Sequence, residues 1–358
     1  MDVIIFTECP TEDYYRALVK LGNVEIRDSR SIYLTFLKLY SSFSFLRKIG
    51  FKLGKTTNVK EVSFKEIFKS YFSYFELLFT RKKVVVLFAP YSNISFYLYL
   101  LKLFKKDLVY MTSWPYWNET DYAYKPSYLG LIFWKKFLQD IRIVTISNTA
   151  RENLLTYSSD VVQIPHGVDL EMFNISRKIK NFQVLFVGRI IKEKGIEDLL
   201  KVATELKNIN FVFAGSGALD YMLKECSLPN VKYLGEVRDR EKLAKIFSES
   251  HVFVLNSYKI DGWEELYGIV LLEALASGTC VISTDCIGPK EIVKEEFGFI
   301  IPQKNYNKLK KTLEYCCNHK KEIVAMGVAG RVFAEERYDI NKLSEKWNEV
   351  LNNLQMLS

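Results

Sequence analysis

Glu265 and Glu273 stand eight positions apart in the run EELYGIVLLEALASG, residues 264–278, with Gly268 between them. The stretch from Ile269 to Ala276 is apolar nearly throughout, which predicts a buried helix beginning near Gly268. The first amides of a helix have no partner inside it and lie at the positive end of its dipole, so this start can hold an anion. Glu265 falls in the loop just ahead of that turn and Glu273 over one turn inside, so two carboxylates bracket a phosphate-sized gap that suits a sugar nucleotide. A plainer reading stands beside this one: the dipole alone favours an acid before a helix, and Glu273 can be a solvated position. Against it, Glu273 lies between Leu272 and Ala274, where an unpaired carboxylate is costly to bury. A second pair, Arg189 and Lys194 in GRIIKEKG, residues 188–195, can converge on a diphosphate, the guanidinium as a bidentate fork and the ammonium as a mobile point charge. The alternative for that pair is a solvated charged turn.

Positioning these groups takes a scaffold, and short β-rich runs alternate with helical ones along the chain. Strands are predicted at residues 3–6, 84–89, 108–112 and 143–147, then at 184–188, 211–215, 231–235, 252–256 and 280–284; helices at 195–207, 218–226, 240–249 and 268–277. That order predicts parallel sheets covered on both faces, an α/β architecture. In such sheets ligands bind beyond the carboxyl ends of the strands. Gly188 and Arg189, Gly215 and Gly217, Gly235 to Val237, and Asn256 all follow strands of the second half, so four strand ends point to one crevice. NISRKIKNF, residues 174–182, reads as a linker between the halves, and 335–356 as a charged C-terminal helix pattern following Tyr338 and Asp339.

At 358 residues with 49% apolar content, the chain is long enough for two domains. Its apolar runs are broken by charges before the roughly 18 residues a membrane span needs. The start, MDVIIFTECP, reads as a first buried strand and not as a signal peptide. Six cysteines without CxxC spacing argue against zinc sites or a disulfide framework and fit a reducing cytoplasm. The net charge of +8 points to a negatively charged neighbour. Residues 31–69 hold eight basic and two acidic residues among many aromatics. The region 31–75 is therefore a candidate amphipathic surface for an anionic membrane. Its aromatic spacing also matches an ordinary core-facing helix, with single-stranded nucleic acid as the least favoured partner.

Taken together, these segments resemble the family 4 retaining glycosyltransferases (glycosyl transferases group 1), two-domain enzymes of the GT-B fold. IPHGVDLEMF (164–173) resembles the family's Pro-Asn-Gly-Val-Asp segment, GRIIKEKG its phosphate segment, and EELYGIVLLEALASG its two-glutamate motif; the likeness is strong over about 143–300 and only in outline before that. It implies two doubly wound, Rossmann-like parallel-sheet domains facing a central cleft: 1–172 on the acceptor side, 173–336 for the nucleotide sugar, and a helix in 337–358 returning to the first domain. It implies that Arg189, Lys194 and Glu265 serve catalysis. Gly188, Gly215, Val237, Leu266, Tyr267, Gly268, Ile269 and Glu273 would bind the donor, with Glu273 on the ribose and Val237 against the base through its backbone. The donor would be a UDP-sugar or GDP-sugar and the acceptor a glycan or glycolipid. No Asp-x-Asp occurs and His166, His251 and His319 have no metal-ligand spacing, so neither a metal nor another cofactor is expected. No nucleic-acid partner is expected either, and the location implied is the cytoplasm, peripheral on the inner membrane face.

The first half departs from the family. The loop after the first strand, TECPTEDYY at 7–15, lacks the family's glycines, and its acids would repel a phosphate. MTSWPYW at 111–117 offers Ser113, Trp114 and Trp117 where the family has a histidine near the donor sugar. Trp114, Tyr116 and Trp117 could form a platform for a sugar or lipid, or close the core of the first half. His166 stands where the family often has asparagine, either steadying a turn or touching ligand. Two further readings remain open at this point: a binding protein that has lost turnover, and an epimerase using the acidic 7–15 loop.

Overall fold

The computed structural model describes residues 2–8, 12–29, 72, 74–92, 94–104, 107–117, 127–176 and 178–354. The basic, aromatic stretch 31–69 singled out above lies outside them. The chain forms two six-stranded sheets, every neighbouring pair parallel.

The first sheet holds β1 (Val3–Thr7), β2 (Val24–Asp28), β3 (Lys83–Leu87), β4 (Leu108–Thr112), β5 (Arg142–Thr145) and β6 (Val161–Gln163), in spatial order β2-β1-β3-β4-β5-β6. Its helices are α1 (Arg16–Val19), α2 (Ser95–Phe104), α3 (Tyr128–Leu138) and α4 (Asn148–Leu154). In the second sheet, β7 (Gln183–Val187), β8 (Asn210–Ala214), β9 (Val231–Tyr233), β10 (Val252–Leu255), β11 (Cys280–Thr284) and β12 (Gly298–Ile301) run in the order β12-β11-β10-β7-β8-β9. Around it lie α5 (Ile196–Glu205), α6 (Asp220–Lys224), α7 (Arg240–Glu249), α8 (Ile269–Ala276), α9 (Ile287–Ile292), α10 (Tyr306–Asn318) and α11 (Lys320–Arg337), and α12 (Ile340–Asn352) closes the chain.

The predicted strands all form. Those missed, β2, β6 and β12, include three of the four sheet edges. Edge strands are short or half exposed, so no long apolar run announces them; β2 has no fully buried residue. Central strands bury both faces, which is why they read as apolar runs: Val3 and Ile5 belong to one core and Ile4 and Phe6 to another. The expected C-terminal pattern is split. α11 ends at Arg337, and Asp339 caps α12 by accepting from the Asn341 amide at 2.9 Å.

The chain crosses between the sheets twice, side by side. The Val168 amide donates to Tyr338 O at 2.8 Å and the Ile340 amide to Val168 O at 3.2 Å. Arg331 on α11 ties the first crossing to the end of α8, donating to Leu170 O at 3.2 Å and Ala276 O at 2.7 Å. After the second crossing α12 lies on the first sheet beside α1, burying Trp347 and Leu351. Arg142 at the start of β5 donates to Val350 O near its end at 3.1 Å, where helix carbonyls lack partners. One continuous hydrophobic core therefore joins facing residues of both sheets.

Candidate active site

Each sheet reverses its strand order at one point, β1/β3 in the first and β7/β10 in the second, and a crevice opens there beyond the carboxyl ends. Val187 ends β7, and Gly188 and Arg189 follow at that reversal. Gly215, just after β8, has φ +140°, and a Cβ on it would overlap Gly188 O. Only glycine permits so close a backbone approach, so the loops after β7 and β8 pack as one unit. Arg189 is exposed and lines the crevice. Residues 192–194 make a 3-10 turn that carries Lys194 inward.

Gly268 sits at φ +86° just ahead of α8, and a Cβ there would press on Leu271 and Leu255. The left-handed residue lets the chain turn sharply from the glutamate loop into a buried helix. The start of α8 thus faces the crevice; the Leu271 amide donates to Gly268 O at 2.8 Å, and the Ile269 and Val270 amides ahead of it belong to the first turn, where a helix offers no internal partner.

Lys194 and Glu265 meet as an ion pair, their side chains only 11% and 13% exposed. Ser257 Oγ donates to Glu265 Oε2 at 3.2 Å, and the Lys194 ammonium lies 5.3 Å from the centre of the Trp263 ring. Lys194, Glu265 and Arg189 share a cavity of about 490 Å³ with Leu266, Tyr267, Gly268 and Ile269. From the first sheet's side Tyr14, Ser113, Trp114, Tyr116, Ile146 and His166 line it. The volume falls within the range of small-ligand sites. The lining carries three cations, Arg189, Lys194 and Lys259, against two carboxylates, Glu264 and Glu265; Lys194 pairs with Glu265 and Lys259 with Glu264.

Sequence reasoning missed three contributors here. Glu264 joins the halves: its Oε2 accepts from Tyr116 OH at 2.7 Å and pairs with Lys259 at 3.3 Å, while Oε1 accepts from the Ile287 amide at 2.8 Å. Glu291 crosses in the same direction and accepts from the Asn148 and Thr149 amides at 2.8 and 3.0 Å, at the start of α4. Arg240 is the third; its Nη2 donates to Glu273 Oε1 at 2.7 Å. Arg240 lies in the charged run EVRDREK, and Glu264 and Glu291 stand beside apolar residues; for all three the partners across the fold assign the contact.

The structure brings only part of the expected set to this cavity. Glu273 is 3% exposed and held by Arg240, so it is not a solvated helix position, and the cavity wall stops at Val270 without reaching it. Gly188, Gly215 and Val237 also stand outside the cavity lining. Trp117 leaves the cleft altogether: it is 2% exposed in the core with Tyr110 and Trp134, its Nε1 donating to Trp114 O at 2.8 Å. An indole between aromatic neighbours gains more from burial than from a wet cleft. Trp114 and Tyr116 stay at the cleft. In the acidic 7–15 loop, the Glu8 carboxyl accepts from the Ala89 amide, burial raises its pKa, and it does not line the cavity.

His166 packs edge-on between Tyr14 and Tyr267, ring centroids 5.4 and 4.8 Å away. Burial, with the nearby Arg16 charge, pushes its pKa down to about 3, so the ring is neutral at pH 7. Its Nε2 has no hydrogen-bond partner among the described residues. Burial raises the Tyr267 hydroxyl well above the ordinary phenol range.

Residues 169–333 match the model of the family Glycosyl transferases group 1. The chain is 28% identical over 173 residues to a phosphatidyl-myo-inositol mannosyltransferase of Mycobacterium tuberculosis, covering 44% of each. It is 25% identical over 232 residues to the capsular polysaccharide biosynthesis glycosyltransferase CapM of Staphylococcus aureus, covering 59% of this chain and 58% of the relative. The matched stretch thus spans about half the length of these relatives. Among solved structures, HepE of Anabaena in complex with UDP superposes with a TM-score of 0.70 at 14% identity, covering 99% of this chain and 100% of that one. Sucrose-phosphate synthase of Thermosynechococcus elongatus gives 0.70 at 16% identity over 100% of both. The two facing sheets are a GT-B fold.

Proposed function

We propose that this chain, whose residues 169–333 form a Glycosyl transferases group 1 domain on a GT-B scaffold, is a retaining, metal-independent glycosyltransferase. It moves a sugar from a UDP-sugar or GDP-sugar to a hydroxyl of a lipid-linked or membrane-proximal acceptor on the cytoplasmic face of an anionic membrane. The observation that carries this reading is the convergence of Arg189, Lys194, Glu265 and the start of α8 on one cavity at the strand-order reversal.

As the bond between the sugar and its diphosphate breaks, negative charge builds on the leaving group. Arg189, Lys194 and the α8 amides stabilise that charge more than they stabilise the bound donor, which is the condition for catalysis. Lys194 is already oriented by Glu265, so little reorganisation accompanies donor binding. Glu265 then orients hydroxyls of the donor sugar. Glu273, steadied by Arg240, takes the ribose, and the backbone at Val237 meets the base. Attack comes from the face the leaving group departs, with a donor phosphate oxygen taking the acceptor proton, so no protein nucleophile is needed.

The mannosyltransferase relative supports a lipid acceptor and the UDP complex of HepE supports a uridine donor. The likeness to CapM favours a second reading, a soluble enzyme extending a polysaccharide. Hydrolysis of a bound nucleotide sugar separates an enzyme from a binding relative: Glu265→Gln should abolish it while an exposed Tyr221→Ser leaves it intact. Full activity in Glu265→Gln overturns the assignment.

A further inference from the structure

Helix α2, SFYLYLLKLF, buries Leu98 and Leu101 against the first sheet. A helix covering a sheet ordinarily turns a polar face outward. Here the outer face is apolar too: Phe96 is 52%, Leu103 60% and Phe104 59% exposed. Its neighbours repeat the pattern. In the helical segment 74–79, Leu77 is buried while Phe75 and Phe79 are each 60% exposed; at the start of α3, Tyr128 is 80% and Leu129 64% exposed.

These side chains form a surface and are not scattered. Phe75 and Phe79 rings lie 4.9 Å apart, Phe79 and Phe104 6.1 Å, and Phe96 and Phe133 4.8 Å, with α2 packed along α3. Contiguous exposed apolar surface of this kind marks an interaction site. Charge selects the partner. Residues 72–104 and 127–140 carry two acids, Glu76 and Asp140, against Arg81, Lys82, Lys83, Lys102, Lys135 and Lys136. Arg81, Lys135 and Lys136 are exposed at the margin of the aromatic face.

We propose that this face seats the protein on an anionic lipid bilayer, the rings of Phe79, Phe96 and Phe104 and the side chain of Leu129 entering the boundary between headgroups and acyl chains while Arg81, Lys135 and Lys136 meet lipid phosphates. The choice of a lipid occupant rests on the function proposed above, which needs a membrane-side acceptor but names no surface for it among the described residues. The geometry places the cleft within reach. α2 and α3 run back from the carboxyl ends of the strands, so Phe96, Tyr128 and Leu129 lie at the cleft end and Phe104 about 12 Å further along. The seated protein would hold its cleft mouth beside the headgroups.

The test is flotation of the full chain with phosphatidylcholine vesicles, with and without phosphatidylglycerol, at low and high salt. Phe79→Ser/Phe104→Ser should lower partitioning onto the anionic vesicles at least about tenfold. Lys135→Glu/Lys136→Glu should lower it mainly at low salt. Tyr221→Ser, on the second half, should change nothing. Unchanged flotation in both double variants overturns the proposal, as does a wild-type dimer in light scattering that the phenylalanine pair abolishes, since the face would then belong to a second copy. Thermal-shift response to UDP-sugars and GDP-sugars, measured on the same samples, keeps the two readings apart. Wild-type protein that floats yet responds to no nucleotide sugar sinks the transferase reading and leaves the docking face standing.

Discussion

Lys194→Met separates the structural share of the Lys194–Glu265 pair from its catalytic share. Both side chains are nearly nine-tenths shielded, and without the ammonium Glu265 keeps the Ser257 hydroxyl at 3.2 Å. Breaking a fully buried pair costs about 3–5 kcal/mol. Because the cavity admits water to one side, about 2 kcal/mol is the expected loss. For a half of this size that lowers the melting temperature by about 4–8 °C. Glu265→Gln in the same background removes the stranded charge, so the double variant should recover most of that stability, with a coupling of at least about 1 kcal/mol in the double-mutant cycle. Activity should not recover. Removing one group that answers the developing diphosphate charge costs about 10²- to 10³-fold in kcat, and neutralising Glu265 removes a sugar contact as well. Urea denaturation gives the first quantity and release of nucleotide diphosphate from the donor the second. A coupling energy near zero, or a double variant that regains turnover along with stability, would refute the reasoning.

Three further outcomes follow from the geometry. Gly215→Ala should destabilise by about 3 kcal/mol or more and weaken nucleotide-sugar response, because the new Cβ meets Gly188 O on a backbone at φ +140°; wild-type chemical denaturation would disprove the packing argument. Trp117→Leu should lower stability by about 2–4 kcal/mol with the acceptor KM unchanged, whereas Trp114→Ala should raise acceptor KM with little effect on stability; the reverse pattern would return Trp117 to the cleft. His166 titrates near 3 folded against 6.5 unfolded, so the unfolded chain binds the proton first and stability falls as pH drops through that window. His251, lowered to about 4 by burial, acts in the same direction. His166→Gln should therefore remove only its own part of the slope, about 2 kcal/mol between pH 7 and pH 5, and equal slopes in denaturation curves of the two proteins would refute the burial of a neutral ring.

Periodicity and local chemistry sufficed for the central strands, since in parallel sheets these are buried on both faces and must be apolar along their length. They also sufficed for the turn at Gly268 and the run to Ala276, because a buried helix opening on a left-handed residue can be read from neighbours in sequence. The convergence of Arg189, Lys194 and Glu265 was legible through the resemblance of three ordered segments. Short edge strands escaped, having little core to face, and so did the contacts that Glu264, Glu291 and Arg240 make with groups 23 to 148 positions away. Trp114 and Trp117 show the limit most sharply. Three residues apart in one aromatic loop, they carry nearly the same local signal, yet one lines the cleft and the other fills the core. Tertiary structure decided that, as it decided that Glu273 is held by Arg240 and that α2 carries exposed apolar side chains opposite its buried ones. Burial and charge pairing depend on what the rest of the chain brings within a few ångströms, and that distance is not a function of local sequence.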